Sequence, residues 1–146
     1  MNAGTEWLVD AEGCSPELLR DFDVLRGLCE EVITTLDLRV VGDPTWHRFP
    51  APGGVTGMYL LSESHLTCHT FPESGLATFN FFCCRPRPAF PWERRLQEIL
   101  RAHKVVLLTI ARGTDAANTD QHPAGDRARL ISQISEITST QEVSGL

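Results

Sequence analysis

Lysine is nearly missing from this chain: Lys104 is the only one in 146 residues. A pyridoxal-type cofactor needs a lysine and a glycine-rich phosphate cradle; the sequence offers no such cradle, so that chemistry has no footing. Positive charge is scarce in general, with 13 Lys and Arg against 19 Asp and Glu and a formal net charge of −6. Arg85, Arg87, Arg94 and Arg95 come nearest to a basic cluster, and prolines and apolar residues interrupt it. Nucleic acid is therefore excluded as a partner, since phosphate binding relies on clustered Lys and Arg. No apolar run approaches the ~20 residues of a membrane span. The N-terminus shows no basic segment followed by an apolar one, so neither a membrane association nor a secretion signal is expected. Five cysteines, an odd number with no Cys-x-x-Cys pair, argue against a disulfide scaffold and fit a reducing, cytoplasmic compartment. Gly-x-Ser-x-Gly is absent too, which removes the nucleophile elbow of a serine hydrolase.

What remains is an ordinary globular composition, 42% hydrophobic and 22% charged, at a length that suits one domain. Glu6 to Asp10 predicts a short strand. Ser15-Pro16 opens a helix, with Ser as N-cap and Pro at the first helical position. Leu18, Phe22, Leu25, Cys29, Val32, Ile33 and Leu36 recur at helical spacing and carry it to about Leu36. Leu38 to Val41 predicts a strand ended by Gly42-Asp43-Pro44, and His47 to Pro52 a proline-bearing loop. Val55–Leu61, His65–Phe71 and Leu76–Cys84 read as three strands, the last two separated by Pro72-Glu73-Ser74-Gly75. Arg85 to Pro91 is a proline-rich loop, Trp92 to His103 a helix and Val105 to Ala111 a final strand. Strand, helix, strands, helix, strand predicts an α+β two-layer sandwich, an antiparallel sheet with helices packed on one face. The other face then needs cover, which a homodimer or the tail could supply. The domain is expected to span residues 1–114. Residues 115–146 read as a polar linker and flexible tail, in which Leu130, Ile131, Ile134 and Ile137 could form a short helix.

The chemistry concentrates between residues 61 and 84. Glu63-Ser64-His65 falls at the tip of the expected hairpin, and His69 follows a few residues on. A serine at such a bend has its hydroxyl near the carbonyl of the residue before it. An internal N-to-O acyl shift, with Ser64 attacking the Glu63 carbonyl, requires that geometry. Alone, the tripeptide reads better as an ordinary polar turn. His69 alone reads as a core histidine bonded to a carbonyl, and Cys83 and Cys84 as small buried hydrophobes, the role also given to Cys14 and Cys29. A zinc site is not expected, because His65 and His69 on one straight strand lie ~13 Å apart.

Several separated motifs occur in one order: Gly13-Cys14-Ser15-Pro16-Glu17, Trp46-His47-Arg48-Phe49, Gly53-Gly54-Val55-Thr56-Gly57, Glu63-Ser64-His65, His69-Thr70-Phe71-Pro72-Glu73, Cys83-Cys84 and Pro91-Trp92. Together they resemble the bacterial and archaeal S-adenosylmethionine decarboxylases, small pyruvoyl enzymes that cut themselves before the serine of a Glu-Ser-His motif. The resemblance implies cleavage at the Glu63 carbonyl into 1–63 and 64–146. Ser64 would become a covalent pyruvoyl group, the electron sink that holds the substrate as a Schiff base. It implies His69 as the base that takes the Ser64 α-proton. Thr56 stands where the family usually has a serine that assists processing, and its hydroxyl has the same donor and acceptor capacity. Cys84, placed by the preceding Phe81-Phe82, is implied as the proton donor to the substrate carbon; adjacent strand residues face opposite sides, so Cys83 would face away. Phe49 and Phe71 would bind the purine, and Glu73 ribose hydroxyls or a cationic group. The implied activity is decarboxylation of S-adenosylmethionine for spermidine synthesis by a homodimer.

Phe71 replaces the family's tryptophan, and Ser74 and Leu76 replace two tyrosines. Arginine or ornithine decarboxylation on the same scaffold is therefore a second reading. A non-catalytic partner paralogue is a third; its expected mark is a lost serine or cysteine, and Ser64 and Cys84 are both present.

Overall fold

The computed structural model describes residues 3–113. The chain runs β1 (Gly4–Glu12), α1 (Pro16–Arg20), α2 (Phe22–Thr35), β2 (Thr45–Arg48), β3 (Val55–Leu61), β4 (Ser64–Phe71), β5 (Leu76–Cys83), α3 (Trp92–Leu100) and β6 (Lys104–Arg112). The strands form one sheet in the order β2-β3-β4-β5-β1-β6, antiparallel throughout. This is the expected α+β architecture, an open antiparallel sheet with the helices against one face.

Side-chain alternation explains why, among the described residues, only one face is covered. Val55, Tyr59 and Leu61 on β3, Leu66, Cys68 and Thr70 on β4, and Ala77, Phe79, Phe81 and Cys83 on β5 are buried. They pack with Leu25, Leu28, Cys29 and Val32 of α2 and Trp92, Leu96 and Leu100 of α3. Thr70 pins α1 to this layer: its hydroxyl donates to the Leu19 carbonyl at 2.8 Å and accepts from the Val55 N–H at 2.9 Å. The intervening residues, Thr56, Met58 and Leu60 on β3 and His65, Thr67, His69 and Phe71 on β4, point the other way. Met58 and Leu60 are 54% and 61% exposed there.

The structure departs from the periodicity at several points. The first helix is two helices, because Asp21 takes an extended conformation and its carboxylate accepts from the N–H groups of Asp23 and Val24, capping α2 afresh. Residues 38–41 form no strand; Val40 makes a single bridge to Leu61. A strand occurs instead at Thr45–Arg48, within a stretch read partly as loop. It is held by pairing with β3 and by Trp46, whose ring lies over Gly57 so closely that a Cβ there would sit 2.4 Å from it. The last helix stops at Leu100, with Arg101 in the left-handed conformation, rather than running to His103. The linker, the tail and the short helix expected in 115–146 lie outside the described residues. Among the described residues no helix is long and apolar enough to cross a membrane.

Candidate active site

β3 and β4 are joined by Ser62-Glu63, with Leu61 paired to Ser64. So tight a connection normally demands residues that tolerate positive φ, and the residue that carries it here is Ser64, at φ 149°. An L side chain is strained at that value; glycine is not. On its other side Ser64 pairs with Cys83, which brings the end of β5 against the tip. The backbone N–H of Cys84 donates to the Glu63 carbonyl at 3.0 Å. The Ser64 hydroxyl lies 3.1 Å from His65 Nδ1. The Glu63 carboxylate meets Arg87 at 3.1 Å, both side chains largely buried. Cys83 turns into the core, whereas Cys84, one residue past the strand, is exposed beside the tip.

A second group gathers at the far end of the same strand pair. Thr56 and His69 are cross-strand neighbours on the bare face, and Thr56 Oγ1 lies 2.5 Å from His69 Nδ1. The Phe71 and Phe49 rings stand edge-on to the His69 ring at 4.4 and 5.5 Å, and His47 packs on Phe49 at 4.6 Å. The Thr78 hydroxyl donates to the His69 carbonyl at 3.3 Å, fixing β4 against β5. Glu73 is exposed in the turn after β4. Thr56 and His69 also line a hollow of about 460 Å³, shared with Leu8, Asp10, Met58 and Asn80. Burial, with the like charge of Glu12 behind it, raises the pKa of Asp10 above the ordinary aspartate value.

The residues singled out in the sequence thus fall into two sets. Glu63, Ser64 and Cys84 meet at the hairpin tip; Thr56, His69, Phe49 and Phe71 meet at the other end. Ser64 and His69 are five residues apart on one strand, about 17 Å at the usual rise. Arg87 was not singled out as a site residue by the sequence reading; its only signal there is a charged residue held between two prolines.

The fold and this geometry define a class: a two-layer α+β protein with a strained serine at the tip of one hairpin. Comparison with known proteins agrees. The sequence profile of the S-adenosylmethionine decarboxylase family matches residues 5–113, and the chain belongs to that family. It is 36% identical over 115 residues to the S-adenosylmethionine decarboxylase proenzyme of Moorella thermoacetica, 75% of this chain and 87% of that protein. It is 32% identical over 81 residues to the proenzyme of the same name from Thermodesulfovibrio yellowstonii, a match that spans 56% of this chain and 58% of that protein's length. The crystal structure of the adenosylmethionine decarboxylase from Aquifex aeolicus superimposes with a TM-score of 0.64 at 25% identity, covering 82% of this chain and 98% of that one.

Proposed function

We propose that this chain is a self-processing, pyruvoyl-dependent S-adenosylmethionine decarboxylase that works as a homodimer in the cytoplasm. The observation that carries the reading is Ser64, held at φ 149° directly after a carbonyl that already accepts the Cys84 N–H. Strain raises the energy of the Glu63–Ser64 peptide. His65 Nδ1 is in reach of the Ser64 hydroxyl proton, and the Cys84 N–H stabilises the oxyanion formed as Oγ adds to the carbonyl. The Oγ–C bond forms, the C–N bond breaks, and the Ser64 nitrogen takes up the proton to leave an ester. Loss of the Ser64 α-proton then breaks the Oγ–Cβ bond and releases Glu63 as a carboxylate. Water displaces the nitrogen as ammonia and leaves a ketone. The pyruvoyl group so made supplies the electron sink that decarboxylation needs.

The α-proton is assigned to His69 of a second copy, since within one chain the two residues stand too far apart. Two bare sheet faces stacked on each other cover Met58 and Leu60 and bring the Thr56–His69 end of one copy toward the Ser64 tip of the other. With Nδ1–H donated to Thr56, Nε2 is the basic nitrogen. Phe49, Phe71 and Glu73 then meet the nucleoside from the same copy as His69. The exposed Cys84 thiol beside Ser64 returns a proton to the substrate carbon once carbon dioxide has left. The product carries the aminopropyl group used in spermidine synthesis.

Intact mass of the purified chain tests the cut, with 1–63 and 64–146 expected as separate species. Carbon dioxide release from carboxyl-labelled S-adenosylmethionine tests the activity. Ser64→Ala and His69→Ala, each uncut alone, are expected to give cut His69→Ala chain when co-expressed. No cut in the mixture removes the two-copy arrangement, and a wild-type chain that stays whole removes the self-processing reading.

A further inference from the structure

Arg87 lies in the loop between β5 and α3, between Pro86 and Pro88, which restrict the backbone around it. Its guanidinium reaches back 24 positions in sequence to the Glu63 carboxylate at 3.1 Å, with side-chain exposures of only 18% and 15%. Such a pair is neither a loose surface contact nor a local one. Glu63 is also the residue whose carbonyl is attacked, and the same strand end supplies the Cys84 N–H to that carbonyl. Two atoms of the pair, Arg87 Nε and Glu63 Oε2, are buried without a hydrogen-bond partner among the described residues, so the guanidinium keeps a donor in reserve beside the scissile residue.

Resting on the self-cleavage reading above, we propose that Arg87 is a positioning residue for that reaction, clamping the acyl side of the scissile bond and compensating its charge. An unpaired Glu63 carboxylate would repel the oxyanion forming on its own carbonyl. It would repel more strongly the second carboxylate that appears on Glu63 when the Ser64 Oγ–Cβ bond breaks and the electron pair leaves with the Glu63 oxygen. Arg87 offsets the first charge, and its unused Nε–H is a further donor that the second one can recruit. The ion pair also fixes the Glu63 carbonyl against the Cys84 N–H, a contact that works only if the carbonyl stays in place.

The rate of self-cleavage after synthesis, read by intact mass, tests the clamp. Arg87→Met is expected to slow it by ~10-fold or more, while Arg87→Lys, which keeps the charge, stays near the wild-type rate. Adding Glu63→Gln to Arg87→Met is expected to recover part of the loss, because it removes the uncompensated carboxylate. A purely structural role predicts the reverse, a double variant at least as slow as the single one. Arg87→Met cutting at the wild-type rate, or a double variant no faster than Arg87→Met, overturns the clamp and leaves self-cleavage standing. A wild-type chain that never cuts overturns both.

Discussion

At residue scale the decisive feature is a side chain where the backbone favours none. Ser64 at φ 149° occupies a region that glycine enters freely. Comparing Ser64→Gly with Ser64→Ala isolates the strain, because neither variant has a hydroxyl and neither can cut. In an unstrained strand the glycine variant would be the less stable by ~0.5–1 kcal/mol. Here the order is expected to invert, with Ser64→Gly the more stable by ~1–2 kcal/mol in denaturant unfolding; an alanine variant that proves equally or more stable shows that the backbone is relaxed. The neighbouring cysteines separate by the same kind of reasoning. Cys84→Ala is expected to cut itself normally and lose decarboxylation, because the acyl shift uses its N–H and not its thiol. Cys83→Ala, altering a side chain 1% exposed in the core, is expected to keep the chemistry and lose ~1 kcal/mol of stability. Exchanged phenotypes would assign the proton donor to Cys83.

At the scale of elements, β3 and β4 do most of the work, and their register puts Thr56 beside His69 while leaving Ser64 about 17 Å away. If His69 acts only in the elimination step, His69→Ala should stop after the acyl shift and accumulate an ester at residues 63–64. Hydroxylamine cleaves esters and spares amides, so it should split His69→Ala and leave Ser64→Ala whole. Resistance of His69→Ala would move His69 into the first step. This division was only partly legible in the sequence. The strands showed because apolar, strand-like residues fill Val55–Leu61 and a second extended run leaves through Phe71, and the hairpin tip showed because Ser62-Glu63-Ser64 interrupts them. β2 did not show: its stability comes from Trp46 lying over Gly57 and against Phe22 and Tyr59, contacts made across the fold. The break at Asp21 was hidden for a related reason, since Leu18 and Phe22 keep the helical spacing across a cap that only the hydrogen bonds reveal. The motif order marked Ser64 and His69 as functional residues but carried no information on their distance, which follows from register. Arg87 was illegible because its partner lies in another segment.

At the scale of the whole molecule, among the described residues one sheet face is packed and the other is bare, and the bare face holds Met58, Leu60, Phe71 and Val106 together with the hollow beside His69. Asp10 lies in the same cross-strand row as His69, opposite Thr78 and Val106, and provides a probe of how dry that face is. Asp10 is exposed in the single chain, yet partial loss of solvent, and then the charge of Glu12, raises its pKa in the folded state. A carboxyl with a raised folded value favours folding while it is protonated, and that contribution is lost as pH rises through the folded value. At pH 7 the ionised side chain therefore weighs against the fold, and Asp10→Asn, which keeps the shape without the charge, is expected to melt higher than wild type. The difference should shrink on acidification and vanish below about pH 3, a unit under the ordinary aspartate value, where Asp10 is protonated in both folded and unfolded chains. If two copies stack as proposed, Asp10 loses more solvent, and the pH 7 gain should also grow with protein concentration across the range where such a dimer would form. Melting curves of both proteins at several pH values and concentrations check this. A gain that persists unchanged at pH 3.5 would mean that Asp10 acts through its shape rather than its charge. A gain independent of concentration would leave the burial within the single chain and count against a face-to-face pair.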